Sequence, residues 1–200
     1  MRRATRRVLA APAVAPLALI PAVASAHPAH DAVDLFHGLI HPFSGMDHVL
    51  VMVAVGLLAA QIGGRAVWLV PASFVLTMAV AGLAGMAGVL PHVELGIAVS
   101  VFVLGAMIAF GVRLPLAAVM GLVAFFAVFH GYAHGAEMPQ TASGLVYAAG
   151  FVVATALLHG LGIALGLGLT RTSEAFGRAA CQLGGVATMV AGTVLLIGAV

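Results

Sequence analysis

The sequence predicts an all-α polytopic membrane protein with six transmembrane helices after a cleaved signal peptide. Of its 200 residues, 63% are hydrophobic and only 7% are charged, whereas about a quarter of the residues in a soluble domain are charged. Its eight basic residues are all arginines, and the net charge of +2 is not gathered into a patch. The composition therefore indicates a protein embedded in the lipid bilayer and gives no support for nucleic-acid binding.

Residues 1–26 have the organisation of a secretory signal peptide. Four arginines stand among the first seven residues, an apolar stretch covers residues 8–23, and Ala24-Ser25-Ala26 forms an A-x-A cleavage site. An uncleaved first membrane helix is the alternative, but three prolines in the apolar stretch disfavour it. Cleavage would leave residues 27–200 as a single six-helix transmembrane domain.

The mature chain opens with two short elements that do not span the membrane. A polar arm over residues 27–34 contains His27 and His30, and the sequence leaves open whether these two histidines capture cations. Residues 35–40 predict an amphipathic turn in the membrane interface. Pro42 lacks a backbone N–H and keeps the preceding residue out of the α region, so a helix arriving from the N-terminal side should end there.

Six apolar segments follow, and glycines, prolines, arginines or polar turns separate them. Their predicted limits are 45–62, 66–89, 94–112, 114–135, 143–169 and 175–200. The first segment would give about 27 Å of helix, which is at the short end for a bilayer.

Four arginines predict the orientation of the spans. Arg65, Arg113, Arg171 and Arg178 lie in or beside the connections between spans, and all four fall on the same side. Short cytoplasmic loops are enriched in Lys and Arg, so this side should be cytoplasmic. The sequence thus predicts a multi-pass protein of the bacterial inner membrane with both mature termini in the periplasm.

A cluster of polar side chains opens the first span. His41, Asp47 and His48 lie within eight residues, and Met52 follows His48 by one helical turn. Ser44 and Asp47 have the spacing of a capping box, which predicts that both side chains bond to free amides of the first turn. Imidazole and carboxylate together suit a divalent transition metal better than Mg²⁺ or Ca²⁺. The alternative is that Asp47 only caps the helix, the histidines lie among headgroups and Met52 is packing.

A second group lies near the end of the fourth span, and a single histidine lies deeper in the fifth. His130, His134 and Glu137 are spaced i, i+4 and i+7, which places them on one face if the helix continues past Gly135. His159 follows near the middle of the fifth span. Ionisable residues within membrane segments are functional candidates by default. Interfacial hydrogen bonding of the pair, and a hydrogen-bonded helix contact for His159, are the alternatives.

Two motifs carry a resemblance to a known family. The segments His41-Pro42-x-x-Gly45-x-Asp47-His48-x-x-x-Met52-x-x-Val55-Gly56 and Phe129-His130-Gly131-x-Ala133-His134-Gly135-x-Glu137 resemble those of the HupE/UreJ family. These small membrane proteins are linked to hydrogenase and urease accessory functions and are regarded as nickel, or sometimes cobalt, permeases. The resemblance implies that His41, Asp47 and His48 are the primary nickel ligands, and that His130, His134 and Glu137 form a second ligand group.

The predicted function is uptake of Ni²⁺, or of Co²⁺, by a secondary or potential-driven route for hydrogenase or urease maturation. The metal would be the transported substrate, with no permanent cofactor and no catalytic residues. The chain has neither a P-loop nor a lysine to complete one, so it should not hydrolyse ATP itself. Capture at His41, Asp47 and His48 would precede transfer to His130 and His134 and passage by His159. The sequence leaves the metal, the coupling ion, the oligomeric state and the partner enzyme open.

Three other functions remain alternatives at this stage. The first is a haem or electron-transfer subunit with two axial histidines, which would need a facing pair in an apolar slot. The second is an intramembrane hydrolase that uses Ser143 or Ser73 with His159, although neither serine has the surroundings of a nucleophile. The third is a metal-binding accessory protein that does not transport its ion.

Overall fold

The structure is a computed structural model that describes residues 28–88, 90–138 and 143–199. Seven α-helices and one short 3₁₀ helix account for most of these residues, and no strand occurs among them. The bounds are α1 Pro28–Ile40, η1 His41–Phe43, α2 Met46–Ile62, α3 Ala66–Gly85, α4 Val93–Ala109, α5 Leu116–Glu137, α6 Gly144–Thr172 and α7 Glu174–Ala199. The predicted all-α class is confirmed. The predicted signal peptide, 1–26, lies outside the described residues.

The helices α2 to α7 coincide in position with the six predicted spans. By length and composition, four of them could cross a membrane alone, namely α3, α5, α6 and α7. The helix α4 has 17 residues, which is about 26 Å of helix against a hydrocarbon core of about 30 Å. The helix α2 qualifies only together with the end of α1 and η1, across a bend of 81°. The apolar helices are therefore compatible with a multi-pass membrane protein, with four spans or up to five by these criteria.

The segment before the first predicted span is more regular than the sequence indicated. In place of a polar arm and an interfacial turn, α1 runs as one helix to Ile40 and packs along α6. Gly38 and Gly150 make this contact possible, because a Cβ on either would fall within the backbone of the opposite helix. The helix ends just before His41-Pro42, where the proline was predicted to end it.

The N-terminus of α2 differs from the predicted capping box. Gly45 is the N-cap residue and makes no side-chain cap bond. Ser44 has helical dihedral angles (φ −75°, ψ −22°), so its hydroxyl donates back to the His41 carbonyl at 2.6 Å rather than forward to α2. Asp47 does accept a first-turn amide, that of His48, at 2.9 Å. The carboxylate half of the predicted cap is thus present, and the hydroxyl half is wrong.

The contact between α2 and α6 brings two backbones together in the interior of the protein. A Cβ on Gly56 would fall on the His159 carbonyl oxygen, and a Cβ on Gly162 would fall on that of Val53. The close approach allows the His159 ring to reach across to α2, where its Nδ1 donates to the Met52 carbonyl at 2.7 Å. Small residues at helix crossings serve this purpose in membrane proteins. These glycines therefore help to position a buried histidine.

We expect Gly162→Ala to lower the melting temperature, because the new methyl group would overpack the crossing at a cost of about 1 to 3 kcal/mol. Gly160→Ala is the matched control on the same helix, since a Cβ there meets nothing within 4 Å and gains helix propensity of about 1 kcal/mol. Thermal unfolding of both variants in detergent checks this. Equal melting temperatures would show that the crossing tolerates a wider separation.

Candidate metal centre

Three side chains from two parts of the chain converge at one end of the helices. His41 belongs to η1, while His134 and Glu137 lie in the last turn of α5. The Nε2 of His41 is 3.1 Å from the Oε2 of Glu137, and the Nδ1 of His134 is 3.7 Å from the same oxygen. Two ligands that each lie about 2.1 Å from one ion are separated by about 3 to 3.5 Å. These atoms therefore stand close to the spacing of a shared metal ion.

This group, which we call the mouth triad (His41, His134 and Glu137), is open on one side. The side chain of His134 is 7% exposed, that of His41 26% and that of Glu137 55%. It is the one set of three His, Cys, Asp or Glu ligands in the described part of the chain whose atoms all lie within 4.8 Å of one another. A hydrated ion could therefore meet the carboxylate first and the buried imidazole last.

Four histidine rings form a continuous series that leads inward from the mouth triad. Ring centroids are 5.1 Å apart between His41 and His134, 4.2 Å between His134 and His48, and 5.1 Å between His48 and His130. We call this set the histidine column (His41, His134, His48 and His130). Predicted ligands from both motifs thus contact one another, although 82 residues separate His48 from His130 along the chain.

Hydrogen bonds determine the tautomer of two rings in the column. The Nδ1 of His48 donates to the Asp47 carboxylate at 2.8 Å. The hydroxyl of Ser100 donates its one proton to the Ile97 carbonyl at 2.6 Å, so the Nε2 of His130 must donate to the Ser100 oxygen, 2.9 Å away. The lone pairs therefore lie on the Nε2 of His48 and the Nδ1 of His130. Carboxylate and hydroxyl partners orient metal-ligating histidines in the same way.

His159 is buried beyond the column, and a hydrogen bond determines the tautomer of its ring as well. Its Nδ1 donates to the Met52 carbonyl at 2.7 Å, which leaves the lone pair on Nε2. The ring of Phe74 contacts His130 and His159 at centroid distances of 5.6 and 5.2 Å. Phe74 thus connects His159 to the column through an apolar ring. The side chain of Met52 is fully buried in the hydrophobic core, so the structure favours packing for its thioether.

The free nitrogens of these rings are buried without partners. No hydrogen-bond partner within the described residues reaches the Nε2 of His48, the Nδ1 of His130, the Nε2 of His159 or either nitrogen of His134. A buried polar atom left unpaired costs about 1 to 3 kcal/mol. Each neutral imidazole has one lone pair, and a buried lone pair needs a proton donor or a metal ion to compensate that cost. The column is therefore chemically suited to bind a cation.

The predicted ligands are grouped differently from the expectation. The sequence grouped His41 with Asp47 and His48, but His41 contacts Glu137, while Asp47 pairs with His48. His41 lies in η1, before a bend of 81° that precedes α2, whereas Asp47 and His48 lie in the first turn of α2. The predicted helical arrangement of His130, His134 and Glu137 is confirmed, since α5 continues to Glu137.

Two residues that contact the candidate ligands were not among those predicted from the sequence. Ser100 orients His130, and a lone serine within the apolar segment 94–112 was a signal that could have identified it. Phe74 lies between two imidazoles, and nothing in its sequence surroundings distinguished it from other core phenylalanines. Both residues are fully buried.

The protein has apolar helices around buried imidazoles and a carboxylate at the open end. These features define its general class, which is a helical membrane-type protein with a candidate divalent-cation site. Comparison with known proteins agrees with this class. The family model described as HupE / UreJ protein matches residues 15–197. The chain is also 45% identical to the protein named Protein HupE from Rhizobium leguminosarum bv. viciae over 180 residues, which is 90% of this chain and 93% of the relative. No solved structure matches the chain. The chain belongs to the HupE/UreJ family, as its two motifs predicted.

We expect His130 to be the Nε2–H tautomer in the unmodified protein and to become a mixture of tautomers in Ser100→Ala, because the substitution removes the acceptor. Nitrogen-15 NMR of the imidazole rings measures this directly. Ser73→Ala is the matched control, since the Ser73 hydroxyl bonds to the Val70 carbonyl of its own helix. An unchanged His130 tautomer in Ser100→Ala would contradict the assignment.

Proposed function

We propose that this protein takes up a divalent transition metal, Ni²⁺ in the first place and Co²⁺ in the second, across the bacterial inner membrane. Uptake would be secondary or driven by the membrane potential and would supply hydrogenase or urease maturation. The observation that carries the proposal is the convergence of the mouth triad, His41, His134 and Glu137, at the open end of the histidine column. Membership of the HupE/UreJ family supports it.

The proposed topology has six spans, α2 to α7, with both mature ends in the periplasm and the signal peptide removed after Ala26. Two cavities at opposite ends of the helices, one lined by acidic and the other by basic residues, support this topology. One is lined by Asp47 together with Ala199 at the end of α7, and another, at the opposite helix ends, is lined by Arg113 and Arg178. The carboxylates near the histidines would thus face the periplasm, and the arginines would face the cytoplasm.

The proposed route begins at the mouth triad rather than at His41, Asp47 and His48 together. From the mouth triad the ion would next bind the lone pair of His48, whose ring contacts that of His134. It would then bind the lone pair of His130. Asp47 would supply negative charge beside the ion where the helices exclude water, and would hold the His48 ring in its ligating tautomer. Passage to His159 would require the ring of Phe74 to move.

The membrane potential could drive this movement without nucleotide hydrolysis. A dication that moves inward through 100 mV, negative inside, gains about 4.6 kcal/mol. That free energy corresponds to roughly a two-thousandfold accumulation. It is enough to concentrate a trace metal, so the lack of a P-loop presents no difficulty.

A metal-binding accessory protein that does not transport its ion is the second candidate function. The contacts of Phe74 with both His130 and His159 favour it, because a closed path would retain an ion in the column. Flux measured beside equilibrium binding separates the two functions.

The haem and hydrolase alternatives have less support. Two axial imidazoles must lie on opposite faces of a haem, whereas the His134 and His48 rings are 4.2 Å apart and leave no room for a macrocycle between them. For hydrolysis, a serine should donate its proton to an imidazole. In the described part of the chain one serine hydroxyl is bonded to an imidazole, that of Ser100 to His130, and this bond has the opposite polarity.

We expect His41→Ala and Glu137→Gln each to lower nickel uptake into proteoliposomes by at least tenfold, since the first removes an imidazole ligand of the mouth triad and the second removes its negative charge. Loss of an orienting partner alone costs about 10- to 100-fold in metal affinity. His37→Ala is the matched control, because this exposed histidine precedes His41 by one helical turn. Equal uptake by all three variants at equal reconstitution would refute the capture site.

We expect Phe74→Leu to raise the rate of nickel flux while nickel binding at equilibrium stays unchanged, because a smaller side chain would widen the passage between His130 and His159. The control is Phe125→Leu, on the exposed surface of α5. Flux through tracer-loaded proteoliposomes and binding in detergent are measured on the same preparations. Reduced flux with intact binding would show that the aromatic ring assists passage.

A further inference from the structure

The end of the protein opposite the mouth triad contains a large cavity, lined by both polar and apolar residues, that the proposed route does not use. It has a volume of about 560 Å³ and lies between the last turn of α2, the α4–α5 connection, the second half of α6 and the start of α7. We call it the arginine cavity. Its polar lining residues are Gln61, Arg113, Thr170, Arg178, Cys181 and Gln182.

This cavity is positively charged, and most of the hydrogen-bond donors of its arginine and glutamine side chains have no strong partner. Two arginines line it, and no described Asp or Glu does. Arg113 makes no ion pair or hydrogen bond with any described residue. Arg178 has Glu174 at 3.6 Å, but the two side chains are 66% and 85% exposed, and such surface pairs are weak. Gln61 commits one N–H to the Ile108 carbonyl at 3.4 Å and has a second N–H free.

We propose that the arginine cavity binds a phosphate group, carried by the headgroup of an anionic phospholipid. Guanidinium groups pair with phosphate through two parallel hydrogen bonds. The volume is in the range of pockets that bind organic ligands, about 300 to 1,000 Å³, and exceeds the need of a small ion. Ile62 and Leu114 add exposed apolar surface to the lining, where lipid chains would begin. Basic pockets between membrane helices on the cytoplasmic side bind such headgroups in other proteins.

The convergence of two arginines distinguishes this cavity from a general excess of positive charge. Arg113 follows α4 and Arg178 lies in the second turn of α7, 65 residues later, yet both line one concavity. Arg65, just before α3, and Arg171, in the last turn of α6, lie at the same end and do not line it. The chain therefore contains its own matched control, with equal charge at the same end but outside the cavity.

The site does not depend on the proposed transport. If transport also holds, a bound phosphate has a consequence for it. Two arginines and no carboxylate would repel a dication that leaves at this end, and the phosphate would neutralise them and offer oxygen ligands.

The test uses the purified full chain in a zwitterionic detergent, titrated with phosphatidylglycerol, phosphatidylcholine or inorganic phosphate. Binding is followed by native mass spectrometry and by the shift in melting temperature. We expect phosphatidylglycerol to bind in preference to phosphatidylcholine. The double variant Arg113→Gln/Arg178→Gln should lose at least tenfold in apparent affinity, and Arg65→Gln/Arg171→Gln should retain the affinity of the unmodified chain. The single variants replace the double variant if it does not fold, which its melting temperature without lipid reveals.

Three results would overturn the proposal in whole or in part. Equal losses in the two double variants would reduce it to general surface charge. Equal binding of phosphatidylglycerol by every variant would refute the site. Binding of inorganic phosphate with the same dependence on Arg113 and Arg178, but no binding of phosphatidylglycerol, would support the phosphate chemistry and refute the lipid as its source.

Discussion

The candidate site depends on one repeated interaction, in which a buried imidazole donates through one nitrogen and keeps a lone pair on the other. Asp47, Ser100 and the Met52 carbonyl each accept such a bond, from His48, His130 and His159. Without these acceptors the rings could rotate or exchange tautomers, and their lone pairs would have no defined direction. The burial that makes a free lone pair costly also strengthens its interaction with a cation, because little water competes.

Helix packing supplies two of these three acceptors. The α2–α6 crossing at Gly56 and Gly162 brings His159 within reach of the α2 backbone. In the same way, α4 presents Ser100 to α5. His130 and His159 are therefore held by an element other than their own helix, so a change in helix packing would alter the ligand geometry as directly as a change of ligand.

The two ends of the protein carry opposite charge. Glu137 and Asp47 stand with the histidines at one end, while Arg113 and Arg178 line a cavity at the other. A cation is attracted to the first end and repelled from the second. A function in metal uptake has to reconcile both facts, and bound phosphate at the arginine end would do so.

The sequence by itself determined the all-α class, the positions of six apolar helices, the break at Pro42 and the residues with ligand chemistry. These follow from local properties, namely hydropathy, proline geometry and helical spacing. Only the tertiary structure decided which ligands meet. His41, across an 81° bend from α2, pairs with Glu137 and not with Asp47, and the conformation of Ser44 directed its hydroxyl back to η1. Contacts between residues about 100 positions apart depend on how helices cross, and helix periodicity within one segment has no information about that.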